Sequence, residues 1–277
     1  MNPDEYCQHK ALRSGSSVYY AMLFLQPERR RAITALCAFC REVNDIVDEC
    51  ADTGVAYAKL AWWRQELVRL DAGAPQHPVT RALLPALPAF GIRCEHLVEV
   101  IDGVEMDLTR NRYLDFPALQ KRCQRTAGVA SLLAATVLGY RDEQTPNYAR
   151  TLGLAFQLTH VIRNVGEDSR KGRIYLPMSE LQQFKVSAAD ILHARQSENF
   201  VRLMAFQIER TERYYVSALE QLSAVDRKSQ HPGLIMTAIN RALLREIEAE
   251  GCKVLVQRTA LTPVRKLWIA WKTRVNA

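Results

Sequence analysis

Apolar residues recur every three to four positions almost from one end of this chain to the other, and no stretch shows convincing strand alternation. That periodicity constrains the fold more than any other feature, because a helix-period pattern does not settle into a sheet. Between Glu28 and Glu49 the residues Ala32, Ile33, Ala35, Leu36, Phe39, Cys40, Val43, Ile46 and Val47 follow it. Asp52-Thr53-Gly54 breaks that helix, and a second runs over 55–70 before Gly73-Ala74-Pro75. Further helices are predicted over 78–88, 94–109, 115–139, 145–169, 198–223, 230–250 and 263–274. The breaks carry Pro or Gly, as at Pro88, Gly91, Gly172, Pro177, Pro232 and Gly251. The prediction is an all-α fold, a single domain over residues 1–277 built from about ten helices.

Composition narrows the class. With 277 residues, 48% hydrophobic and 24% charged, the chain is neither disordered nor low in complexity. A chain this long buries roughly three quarters of its unfolded surface and folds without disulfides or structural metal. Lys+Arg 37 against Asp+Glu 30 leaves +7, a mild excess that suits anionic lipid or a phosphorylated small molecule as well as nucleic acid. The longest mainly apolar stretch, 129–139, is too short to span a bilayer, which takes about 20 residues. The opening MNPDEYCQHK has no apolar signal core, and seven scattered cysteines fit a reducing compartment. A cytoplasmic location is therefore expected.

Two polar stripes stand out on otherwise apolar helices. Cys37, Arg41, Asn44 and Asp48 are spaced by four, three and four and share one face, with Asp45 and Glu49 as a second acidic pair beside it. Gln157, His160, Asn164 and Asp168 repeat the arrangement at three, four and four, flanked by Arg163 and Glu167. A single acidic turn is ordinarily a solvated face. Two of the same kind, about 120 residues apart, suit Mg²⁺ with a diphosphate, since Mg²⁺ takes oxygen ligands from one or two carboxylates plus substrate phosphates. Arg41 and Arg163 can contact phosphate oxygens, and an apolar cavity between such helices can take a hydrocarbon tail.

The segments SGSSVYYAMLFLQPERRRAITAL, CREVNDIVDE, EMDLTRNRYLDF, RCQRTAGVASLLAA, QLTHVIRNVGEDSRKGRIYLP, PGLIMTAINRALLREIE and LTPVRKLWIAWKT resemble the squalene/phytoene synthases, the head-to-head prenyltransferases. The block from Gln157 to Pro177 is the most specific. Within the family the chain looks most like the bacterial presqualene diphosphate synthases of the hopanoid pathway. The resemblance implies an isoprenoid-synthase helical bundle with a central apolar cavity. It also implies Mg²⁺ as cofactor, and condensation of two farnesyl diphosphates to presqualene diphosphate.

Carried over by resemblance, Asp48 and Asp168 match the second aspartates of two D-x-x-x-D motifs, with Asn44, Asn164, Glu49 and Glu167 as further metal candidates. Arg41, Asp45 and Arg163 are the catalytic candidates. Ser17, Arg41, Gln157, Arg163, Arg173 and Tyr175 are the substrate-binding candidates. The chain departs from the family at several of these places. Asn44 and Asn164 replace the first aspartate of each motif, and His160 replaces an asparagine. Cys37, Arg122 and Asn240 replace cavity tyrosines, Val18 replaces Phe and Ser131 replaces Gly. Asparagine offers Mg²⁺ a carbonyl oxygen but no charge, and a charge pair at about 4 Å is worth about 4 kcal/mol at an effective dielectric near 20. Arg122 should repel a carbocation unless diphosphate pairs with it. The departures motivate an alternative: an impaired or inactive family member that acts as a binding or assembly protein.

Other features have plainer readings. Cys37-Ala-Phe-Cys40 has no second pair at zinc spacing, so core cysteines are expected. His160 is read as a hydrogen-bonded structural residue, and Trp62 and Trp63 as helix packing. The basic, amphipathic VRKLWIAWKTRV carries Trp268 and Trp271 and suits peripheral contact with an anionic membrane or docking on the domain. No nucleic-acid partner is expected, and no G-x-G-x-x-G indicates a Rossmann site.

Overall fold

The structure is a computed structural model that describes residues 1–11, 17–50 and 52–276. Residues 12–16, which include the start of the SGSSVYY segment at 14–16, lie outside the described residues. Among the described residues there is no strand, and one parallel bridge pairs Arg112 with Ile174.

The long predicted helices are present. In chain order the elements are α1 (Pro3–Ala11), α2 (Ser17–Met22), α3 (Pro27–Glu49), α4 (Thr53–Asp71), α5 (Pro78–Leu83), α6 (Ala86–Phe90), α7 (Cys94–Thr109) and α8 (Phe116–Cys123). A π-turn (Gln124–Gly128) then leads into α9 (Val129–Leu138). They are followed by α10 (Thr145–Arg170), α11 (Met178–Gln183), α12 (Ala188–Leu192), α13 (Glu198–Gln221), α14 (His231–Ala249) and α15 (Pro263–Asn276). The starts follow from local chemistry. Asp52, expected as part of a break, is the N-cap of α4, where its side chain accepts from Val55 N at 2.9 Å. Asp115 caps α8 through Ala118 N, and Ser197 caps α13 through Phe200 N.

Two predicted helices are subdivided. The 78–88 segment is α5 and α6, because Pro85 has no N–H to continue the ladder. The 115–139 segment is α8, the π-turn and α9. The Thr126 hydroxyl donates to the Arg122 carbonyl at 3.0 Å, competing with the backbone ladder at the π-turn. Neighbouring helices press closely on that turn. A Cβ on Gly153 of α10 would stand 2.2 Å from the Ala127 carbonyl oxygen, so only glycine permits this crossing.

The apolar faces form two main clusters. One gathers α1, α3, α4, α5, α7 and α9 around Phe39, Trp63, Leu97 and Leu133. The other gathers α10, α13 and α14 around Phe200, Leu203, Tyr215 and Leu244. Trp63 is buried against Phe39, as helix packing predicts, whereas Trp62 is partly exposed beside Arg69.

Candidate active site

Between the two clusters lies a cavity of about 750 Å³. This is within the usual range for ligand clefts, about 300–1,000 Å³. α3 and α10 form much of its wall, and each changes character along its length. On α3 the lining runs from Ile33, Leu36, Cys37 and Cys40 to Arg41, Asn44, Asp45 and Asp48. On α10 it runs from Tyr148, Leu152 and Phe156 to Gln157, His160, Arg163, Asn164 and Asp168. The two polar ends meet, since the Asp48 charge acts on Asp168. The result is one cavity with an apolar body and a charged end. Cys37 and Cys40 line its apolar wall instead of sitting wholly in the core, and burial pushes their thiols up to about 11 and about 12.

Ser17, Arg41, Asn44, Asp45, Asp48, Gln157, Arg163, Asn164, Asp168 and Tyr175 all line this cavity. Glu49 does not: it is exposed at the end of α3. Glu167 also lies off the lining and pairs with Arg258 at 3.4 Å. The helical spacing explains both, since each is one residue, about 100°, away from an inward-facing aspartate. Arg173 is not among the lining residues of this cavity. It donates to Asp48 Oδ1 and to the Val47 carbonyl, each at 2.5 Å. Asp45 faces the cavity but carries an ion pair to Lys10 at 2.9 Å. Arg41 donates to the Lys10 carbonyl at 3.1 Å. His160 differs from its predicted structural role. Its ring opens into the cavity and has no hydrogen-bond partner among the described residues. Burial, followed by the Arg163, Arg258, Arg122 and Arg41 charges, pulls its imidazole down to about 3, so it is neutral at neutral pH.

Asn44, Asp48, Asn164 and Asp168, the Mg²⁺ donors that the resemblance implies, line the same cavity, and the Asp48 charge acts on Asp168. Asp48 is already paired with Arg173 and, at 3.6 Å, with Lys171. The Asn164 carbonyl oxygen accepts from Arg163 Nε at 3.0 Å and is turned to that cation. Asn44 donates back to its own helix at the Cys40 carbonyl, 2.6 Å. Among the described residues no three His, Cys, Asp or Glu side chains gather in a metal-binding group. Two carboxylates and two amides would hold a divalent ion here, less charge than two paired aspartate clamps supply, and the guanidinium groups of Arg41, Arg163 and Arg258 line the same end.

Arg122 has a counter-ion that sequence reasoning missed. Its Nε and Nη2 donate to Asp107 Oδ2 at 3.2 and 2.8 Å. Tyr113 and Tyr175 add their hydroxyls to the same carboxylate at 2.7 and 3.0 Å. The pair is internal, so Arg122 does not need a ligand to balance its charge. A signal for Asp107 was available: with Leu97, Val100, Ile101 and Val104 it falls on the buried stripe of α7, where an acid needs a partner. Arg258, also on the cavity wall, lies outside any helix and gave no periodic signal. It is brought in by the 252–258 segment, whose Val254 carbonyl accepts from Gly166 N at 3.2 Å. A Cβ at Gly166 would stand 2.3 Å from the Leu255 carbonyl oxygen.

Comparison with known proteins agrees with this architecture. The squalene/phytoene synthase family model matches residues 11–266. A phytoene synthase from Arthrospira platensis is 32% identical over 276 residues, covering 95% of this chain and 89% of that protein. A 15-cis-phytoene synthase from Synechocystis is also 32% identical, covering 96% and 84%. Among solved structures, a ligand-bound dehydrosqualene synthase superposes with TM-score 0.89 at 22% identity, covering 99% of this chain and 96% of that one. The squalene synthase HpnC from Alicyclobacillus acidocaldarius gives 0.80 at 24%, covering 90% and 94%. A family match across nearly the whole chain, on an all-α fold with a large central cavity, places this protein in the squalene/phytoene synthase family of head-to-head prenyltransferases.

Proposed function

We propose that this chain binds farnesyl diphosphate in the central cavity and condenses two copies head to head into presqualene diphosphate. The observation that carries this reading is the single cavity whose apolar body ends among guanidinium groups. A prenyl chain takes the apolar body and its diphosphate takes the charged end. Enzymes of this family generally use a divalent metal. Here Asp48 and Asp168 would hold that metal, and Arg41, Arg163 and Arg258 add the chain's own cations as diphosphate partners.

In this reading Arg41 and Arg163 hold the diphosphate that leaves. Its departure breaks a C–O bond and generates an allylic cation, which the double bond of the second farnesyl chain attacks. Closing the cyclopropane releases a proton to the departing diphosphate. Tyr148 and Phe156 on the wall supply aromatic contact for the cation. The Asp107 pair offsets the charge of Arg122, so the cation meets a nearly neutral wall there. Both core clusters contribute walls, so the catalytic unit is the chain as a whole.

A non-hydrolysable farnesyl thiodiphosphate should raise the melting temperature in proportion to the logarithm of its concentration. No shift, with or without Mg²⁺, would contradict the substrate. The Asn164 carbonyl turned to Arg163 favours a second reading, a prenyl diphosphate-binding protein without turnover. It predicts the same shift without product.

The C-terminal helix supports a membrane-surface location. Among the described residues no helix is long and apolar enough to cross a membrane. α15 docks through buried Ala270, yet Leu267, Trp268, Trp271 and Val275 stay about half exposed or more. With Arg265, Lys266, Lys272 and Arg274 on the same helix, this face suits an anionic bilayer surface. All seven thiols are unpaired, in keeping with the reducing, cytoplasmic side of that surface.

A further inference from the structure

His160 supplies an imidazole to the cavity wall at the boundary between its two halves. It lies on α10 between the apolar run of Tyr148, Leu152 and Phe156 and the polar run of Arg163, Asn164 and Asp168. In a prenyl diphosphate the same boundary is the C1–O bond, where hydrocarbon meets phosphate. A substrate with its tail in the apolar body and its diphosphate at the charged end brings its reacting carbon to the turn that carries His160. The ring is exposed to the cavity, and among the described residues no side chain or carbonyl holds it by a hydrogen bond.

Forming a cyclopropane from two farnesyl units discards one proton, so a group at that boundary must accept it. The other titratable groups on the wall are committed elsewhere. Asp45 pairs with Lys10, Asp48 with Arg173 and Asp107 with Arg122. Asp168 faces Asp48 about two turns further along α10 and is a metal candidate. The Tyr175 hydroxyl donates to Asp107, and the Tyr148 hydroxyl is buried at the apolar end. Burial keeps the Cys37 and Cys40 thiols protonated. His160, by contrast, is neutral, because burial and the charges of Arg163, Arg258, Arg122 and Arg41 disfavour its imidazolium. A bound diphosphate places several negative charges among the same guanidinium groups and so lets the ring take up a proton. The proton donor is a carbocation, acidic enough for a weak base to suffice.

We propose that His160 is a catalytic residue of the condensation: its imidazole takes the proton lost from C1 as the cyclopropane closes and hands it to the departed diphosphate. The C1–H bond breaks, its electron pair forms the closing C–C bond, and a ring nitrogen is left protonated. Transfer to a diphosphate oxygen then regenerates the neutral imidazole, with no oxidant or reductant required. The inference rests on the prenyl diphosphate reading above and adds the proton acceptor to it.

His160→Gln keeps a polar side chain of similar reach that takes up no proton. In Mg²⁺ its turnover of farnesyl diphosphate should fall about 100-fold. Its affinity for farnesyl thiodiphosphate should stay within about threefold of the parent's, as expected when only the chemical step is impaired. Substrate deuterated at C1 should slow this variant by a larger factor than it slows the parent, because C–H cleavage has become limiting. His160→Ala, a second variant should the first not fold, should lose turnover likewise and regain about tenfold on addition of free imidazole. Turnover within about threefold of the parent's in the folded variants would overturn the proposal. A loss of turnover matched by an equal loss of analogue affinity would also overturn it, since His160 would then only bind. In both cases C30 product from the unmodified chain leaves the prenyl diphosphate reading standing. No C30 product from the unmodified chain would overturn both.

Discussion

Asp168 is the residue at which function and stability pull hardest against each other. Burial and the neighbouring Asp48 charge push its carboxyl from 3.8 up to about 7. The folded state then holds a proton that the unfolded chain has released, so stability falls as pH rises through the window from about 4 to about 7. Asp168→Asn should therefore melt higher than the parent at pH 8, by roughly 1–3 kcal/mol after solvent screening, with the gap closing towards pH 4. Thermal unfolding at both pH values checks this, and a variant less stable than the parent at pH 8 would contradict it. The asparagines make a second residue-scale case. Restoring carboxylates with Asn44→Asp and Asn164→Asp should strengthen the response of ligand binding to Mg²⁺, by about tenfold or more. At this scale the stripes on α3 and α10 were legible because helical spacing alone aligns their residues. The Arg122–Asp107 pair was not, because it joins two helices and depends on how α7 and α8 meet. Arg122 looked like an obstacle to carbocation chemistry until its partner was in view.

Among the elements, the long helices could be read from periodicity and the short ones could not. α11 and α12 have six and five residues, too few to establish a 3.6-residue pattern. The π-turn over Gln124–Gly128 left no periodic trace either, and it packs closely against Gly153 of α10. Gly153→Ala should be costly, because the added methyl meets backbone and not a flexible side chain. A loss of about 2–4 kcal/mol is expected from denaturant titration. A change below 0.5 kcal/mol would show that α10 can shift away from the turn. The terminal helix carries its own test. Trp268→Ala with Trp271→Ala should lower co-sedimentation with anionic vesicles severalfold and leave binding of farnesyl thiodiphosphate unchanged. Vesicle binding that ignores both tryptophans would assign the exposed stripe no membrane role.

At the level of the whole molecule, the all-α architecture followed from composition and spacing, whereas the cavity did not. Its volume arises where the cluster that includes α3 faces the cluster that includes α10 without filling the space between them. That space is apolar along most of its length and cationic at one end, which is the shape of a prenyl diphosphate. In the proposed function this chain joins two such molecules. Incubating the purified protein with farnesyl diphosphate, with and without Mg²⁺, and reading the extract by mass spectrometry tests it most directly. A C30 diphosphate and released inorganic diphosphate are expected from the unmodified chain. Recovery of unreacted farnesyl diphosphate under both conditions, from protein that binds the thiodiphosphate analogue, would contradict it.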